Sequence, residues 1–195
     1  MRGLVGEQNL SDGQKAAPRL DRQGRIVNSS KYAAAALAGR LFSVANQTNV
    51  TTTAALATTW TGLGVGNPTA SGKNYIFHEF GWHQEVVMNT EGGIGLMVGA
   101  ISAMAQAVTP RAALYGSETS NALCDDDATI GTPILMRMCG SSMEGAISTV
   151  PSLGPNIYQI DGSIIIPPGQ ALLSYTFAIQ TSSILFHFLW EEVDV

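Results

Sequence analysis

The chain has little of what catalytic sites are usually built from. Three histidines (His78, His83, His187) and two cysteines (Cys124, Cys139) are its whole supply of imidazoles and thiols in 195 residues. Two cysteines are too few for a disulfide framework, so free buried thiols are expected. There is no Gly-x-Ser-x-Gly elbow and no phosphate loop ending in lysine, which removes the commonest hydrolase and nucleotide-binding signatures. No run of about 20 apolar residues could span a bilayer, and no apolar segment before a cleavage site marks the N-terminus, so no membrane partner is expected. A dense Lys/Arg run with interleaved aromatics is also missing, and with it the case for nucleic acid. Charge is scarce altogether, at 13% of residues against 45% hydrophobic. That ratio excludes a disordered chain and allows a full core. It also suggests that neighbouring subunits cover part of the surface. The Asn-x-Ser/Thr triplets at Asn9, Asn28, Asn46 and Asn49 stand without a secretion signal and read as chance.

What charge there is lies unevenly. Residues 1–40 hold seven basic residues against three acids, a charge of +4; residues 41–195 hold three against twelve, or −9. A basic arm on an acidic body is the pattern of an arm that docks on something else. Residues 1–30 have neither helical nor strand period. Asn28, Ser29 and Ser30 can cap a short helix over Lys31–Gly39, whose alanines have high helix propensity and which Gly39 stops. Two regions are therefore expected: 1–40, a basic N-terminal arm with a short Ala-rich helix, and 41–195, a β-sandwich domain.

From Leu41 onward the texture is β. Strands are expected at LFSVAN, in the threonine-rich stretch Val50–Thr61, at GLGVGNP, over Asn74–Met88 and Ile94–Met104, and at Ile134–Met138, Ala146–Val150 and Asn156–Ile160. In the first long strand Ile76, His78, Phe80 and Trp82 share one face, and Gly81 is the candidate position for a bulge. The C-terminal stretch is the clearest. Ile164–Ile166 stops at Pro167-Pro168-Gly169, Ala171–Phe177 follows, and Ile184–Trp190 closes the chain with Phe186, Phe188 and Trp190 alternating onto one face before Glu191 and Glu192 end it. About eight to ten short strands predict an all-β fold, a jelly-roll-like antiparallel β-sandwich.

Five chemical readings compete with bland ones. A metal-bearing cupin needs His-x-His, and with unbroken alternation His78 and His83 point to opposite faces, so no metal is expected. Asp125-Asp126-Asp127 in a turn-rich section could hold calcium, yet a solvated acidic loop is the better reading. Cys124 beside those aspartates has its thiol pKa raised, which argues against a nucleophile. Gly62-Leu-Gly64-Val-Gly66 lacks the helix a dinucleotide site requires. Trp60, Trp82 and Trp190 could stack on a sugar, but their apolar settings favour the core. No catalytic residue and no cofactor is expected.

The ordered set of segments resembles one kind of protein. It comprises a polar arm with Gln23-Gly24-Arg25, an Ala-rich helix, LFSVAN, a threonine stretch, GLGVGNPTASGKN, the glycine-rich IGLMVG and the closing GSIIIPPGQALLSY and FLWEEV. From Gln23 to Val195 the chain is similar to the small jelly-roll structural proteins that decorate or cement the capsids of tailed bacteriophages. The resemblance implies a non-enzymatic virion component, made in the cytoplasm of a bacterial host and placed on the capsid exterior. Its expected partners are the major capsid protein and two further copies of itself in a homotrimer. On that reading Arg19, Arg22 and Arg25 of the arm meet capsid carboxylates, and Leu4, Val5, Leu10 and Leu20 fill shallow apolar grooves. A carbohydrate-binding jelly-roll module of a host-recognition fibre is the alternative.

Overall fold

The computed structural model describes residues 31–84, 92–116, 119–142, 156–181 and 184–195. The expected strand at Ala146–Val150 and the arm over residues 1–30 lie outside them. One helix, α1 (Lys31–Leu37), precedes nine strands: β1 (Leu41–Ala45), β2 (Thr59–Gly66), β3 (Lys73–Gln84), β4 (Gly92–Ala103), β5 (Arg111–Ala112), β6 (Leu123–Ser142), β7 (Asn156–Ile166), β8 (Gln170–Thr176) and β9 (Ile184–Asp194). The helix ends as its sequence dictates. Gly39 takes φ +72°, and the Gly39 and Arg40 amides return to the carbonyls of Ala36 and Ala35, a Schellman cap.

The strands form two antiparallel layers. One sheet runs β5-β1-β9-β3-β7, and β2, β6, β4 and β8 close into a ring. Every strand pairs with strands that are not its sequence neighbours, because each connection crosses from one layer to the other. The order β1-β9-β3-β7 against β2-β8-β4-β6 is that of a jelly roll, with β5 added at one edge. The Pro167-Pro168-Gly169 turn therefore joins strands of different layers. Asn67 fastens it to the neighbouring turn, donating from its amide to the carbonyls of Lys73 (2.7 Å) and Ile166 (2.9 Å).

Aromatic side chains of the first sheet dominate the core. Register sets Phe42, Trp190 and Phe77 in one cross-strand row and Val44, Phe188 and Phe80 in the next. Ring centroids lie 5.1 Å apart for Phe80–Phe188 and 5.7 Å for Phe77–Phe188. Cross-strand aromatic contacts of this kind add roughly 0.5–1.5 kcal/mol beyond the area they bury. Leu63, Val65, Leu96, Cys124 and Leu172 meet them from the second layer. A bulge makes this possible. His78, not Gly81, is the extra residue in β3, since Phe77 and Glu79 face the consecutive Trp190 and Leu189. The extra residue resets the alternation, so Phe80 and Trp82 join Tyr75 and Phe77 on the core face while His78 leaves it.

The second layer has a core of its own. β6 pairs with β2 through its first residues and with β4 along the rest, so the sheet curls around Trp60, Met97, Ala128, Ile130, Leu173 and Tyr175. The alternating glycines serve this packing. A Cβ at Gly62 would fall 2.0 Å from the Trp60 ring, and one at Gly66 would fall 2.8 Å from Met104 Sδ.

The threonine stretch departs from expectation: Thr59 opens β2, while Val50 and Ala54 make isolated bridges only. Hydroxyls take the place of a ladder here. Thr61 Oγ1 donates to the Thr51 carbonyl (2.6 Å), and Thr53 Oγ1 accepts from the Thr61 amide (3.0 Å). Side chains that satisfy local backbone compete with sheet pairing.

Candidate functional site

The residues expected to anchor the arm (Leu4, Val5, Leu10, Arg19, Leu20, Arg22 and Arg25) lie outside the described residues. Arg40, counted with the basic arm, is placed. Its Nε and Nη2 both reach Glu191 Oε1, at 3.1 and 3.0 Å, and so tie the end of α1 to β9. Its charge is committed to the body.

The aspartates do not form a loop. Asp125 and Asp127 sit in β6 opposite Gly64 and Thr61. Asp125 is buried, and its carboxylate accepts from the amides of Ala105 (2.6 Å) and Asp127 (3.2 Å). It works as an internal cap where the chain leaves β4. The histidines share the outer side of the first sheet. The bulge removes the opposite-face argument for His78 and His83, but His78 packs edge-on to Tyr32 with its Nε2 3.6 Å from Glu191. His187 lies over Gly81, where burial lowers its pKa and Glu79 partly opposes the shift. Among the described residues no three His, Cys, Asp or Glu converge on a cation position. Nor is any helix of the described residues long and apolar enough to cross a membrane.

Both thiols lie in β6. Burial first, then Glu192 and Asp125, push Cys124 far above the ordinary thiol range, so the aspartates are a minor part of the cause. Cys139 is pushed up to about 11, burial outweighing the opposing Arg137. Trp60, Trp82 and Trp190 are all buried, and none presents a face to a sugar.

Where Glu191 and Glu192 were expected to end the last strand, β9 continues to Asp194. Glu192 turns inward and is 2% exposed. Lys73 Nζ donates to its Oε2 at 2.9 Å, while Ser120 Oγ and, at 3.4 Å, Trp190 Nε1 donate to Oε1. Tyr75 stands opposite it, its phenol pushed upward by burial and then by the Glu192 charge. This cluster closes one end of the sandwich and binds the segment before β6 to β3 and β9.

The feature that faces outward is a flank. From Gly131 to Ser142, β6 is paired with β4 alone; its register with β2 stops at Thr129, and the Ile130 amide makes the last bond, to the Thr58 carbonyl at 2.9 Å. β7 is paired with β3 alone. Arg137 Nη1 donates to Ser163 Oγ at 2.9 Å and so places the two edges side by side. Ile134, Leu135, Met136 and Met138 on β6, with Ile157 and Ile165 on β7, are all exposed.

No family model, curated protein or solved structure matches the chain. The fold and this flank are therefore what a functional reading has to rest on. In the sequence the apolar run Ile134–Met138 marked a strand but gave no sign that the strand is an edge. An edge is defined by neighbours that are remote in the chain.

Proposed function

We propose that this protein is a non-enzymatic structural component of a tailed-phage virion. It decorates or cements the outer capsid through protein–protein contacts, as a homotrimer on the capsid exterior. The observation that carries the reading is the outward-facing flank of β6 and β7, a surface suited to association on a body whose buried acids, Asp125 and Glu192, and buried thiol, Cys124, serve internal packing. The charge split adds to it. Residues 41–195 hold three cations against twelve acids, and two of the three are engaged, Lys73 by Glu192 and Arg137 by Ser163, whereas residues 1–40 hold seven cations against three acids. The fibre-module alternative loses its tryptophans to the core. A glycan array that returned a specific, saturable ligand would revive it.

Deleting residues 1–30 tests the anchoring role. The truncated body is expected to fold and associate as the full chain does but to lose sedimentation with capsids. Binding of the full chain is expected to weaken as salt rises, because exposed ion pairs are screened over about 8 Å at physiological ionic strength. Undiminished capsid binding by the truncated protein would show that the arm is not the anchor.

A further inference from the structure

A helix of seven residues does not hold itself in water, so α1 is folded because it is docked. Its seat is made by two irregularities that face each other across β3 and β7. From β3 comes the extra residue, His78. Between the pairs Phe77–Ile164 and Glu79–Gln159, β7 sets four residues, 160–163, against that one. They make a tight turn in mid-strand, with Asp161 at φ +53° and Gly162 at φ +77°. Ser163 Oγ closes it by donating to the Ile160 carbonyl at 2.6 Å. Bulges re-aim side chains, and both of these aim one at α1. The Tyr32 ring lies 5.2 Å from that of His78, and its hydroxyl donates to Asp161 Oδ1 at 3.3 Å. Just past the other end of the helix, Arg40 holds Glu191.

We propose that α1 is a clasp opened by acid: protonation of His78 lifts the helix off the outer side of the first sheet. His78 is 6% exposed. Among the described side chains, the titratable and charged groups around it are Tyr32 of α1, Arg40 after it, Glu191 of β9, Asp161 of β7 beyond the Tyr32 hydroxyl, and its chain neighbour Glu79. His78 Nε2 lies 3.6 Å from Glu191 Oε2, and the other oxygen of that carboxylate already takes Arg40 at 3.0 Å. A proton on the docked imidazole sets a second cation on one carboxylate, in a covered place. Contact with the Tyr32 ring offsets only part of that cost. When α1 lifts, Arg40 leaves with it, His78 meets water, and Glu191 serves the imidazolium alone. The undocked state therefore takes the proton more readily. By linkage, docking is full at neutral pH and is lost as pH falls through the histidine range, around 6.5 and below. Residues 1–30 join the body through α1, so opening the clasp lengthens their tether. The same seven residues span about 10 Å as helix and roughly 25 Å extended.

The test is amide hydrogen exchange on the full-length chain, followed by NMR from about pH 7.5 to about pH 5, above the ordinary carboxylate range, and expressed as protection relative to the unfolded chain. The amides of Ala38, Gly39 and Arg40 close the helix onto the carbonyls of Ala34, Ala36 and Ala35. They are expected to lose at least ~10-fold in protection across that window, while the amides of β8 keep theirs. His78→Gln, whose side chain takes no proton, is expected to hold the same three amides level. Unchanged protection in the intact chain would overturn the clasp. An equal loss in His78→Gln would overturn the role of His78. Should the variant fail to fold, titration of the three imidazoles in the intact chain decides. The loss over 38–40 should share its midpoint with His78, and a midpoint that follows His83 or His187 instead would refute the proposal.

Discussion

Replacing Gly62 with valine is expected to abolish the folded body, or to leave it at least about 4 kcal/mol less stable. Gly62 sits at φ +151°, where side chains are strained, and its missing Cβ would lie 2.0 Å from Trp60 Cη2 and 2.8 Å from Ser174 Oγ. The indole has no room to retreat. It is fully buried in the curl of the second layer, packed with Met97, Ala128, Ile130, Leu173 and Tyr175. Close-packed interiors do not absorb added volume without shifting backbone. Chemical denaturation measures the loss, and Gly62→Ala paired with Trp60→Leu divides it. If the clash dominates, the double variant loses clearly less than the two single losses added together. Strict additivity would place the penalty in the backbone instead. A fully stable Gly62→Val protein would mean that Trp60 does not fill this curl.

Removing the Glu192 carboxylate should have the next largest effect. Glu192→Ala takes away an acceptor for Lys73, Ser120 and Trp190 together, in a place that is 2% exposed. Breaking one side of a buried ion pair costs on the order of 3–5 kcal/mol. Lys73 is 37% exposed and can turn to water, so about 3 kcal/mol is the expected loss. Glu192→Gln should recover part of it, because an amide oxygen still accepts from the hydroxyl and the indole. Urea denaturation of the three proteins reads the order directly. A Glu192→Ala cost below about 1 kcal/mol would show that the cluster does not hold the sandwich end closed.

The sequence carried the layers and most strands but not their neighbours. Phe186, Phe188 and Trp190 alternate at period two and were legible as a core face; so was the turn at Pro167-Pro168-Gly169. The bulge at His78 was not, because nothing local marks which residue is extra. It is fixed by the register of β9, more than a hundred positions away. Glu192 illustrates the same limit. A charged residue after Trp190 reads as the end of a strand until Lys73, Ser120 and the Trp190 indole are seen around it. The aspartates at 125–127 read as a loop because carboxylates usually seek water, and Asp125 is instead satisfied by two backbone amides. The flank was the least legible of all. An edge strand and a central strand share the same apolar run, and only the topology separates them.

The decisive measurement is electron microscopy of intact phage particles with gold-labelled antibody against this chain. Label is expected over the capsid exterior, and none on particles assembled without the protein. Label confined to tail fibres, or particles that carry none of the chain, would contradict the capsid role.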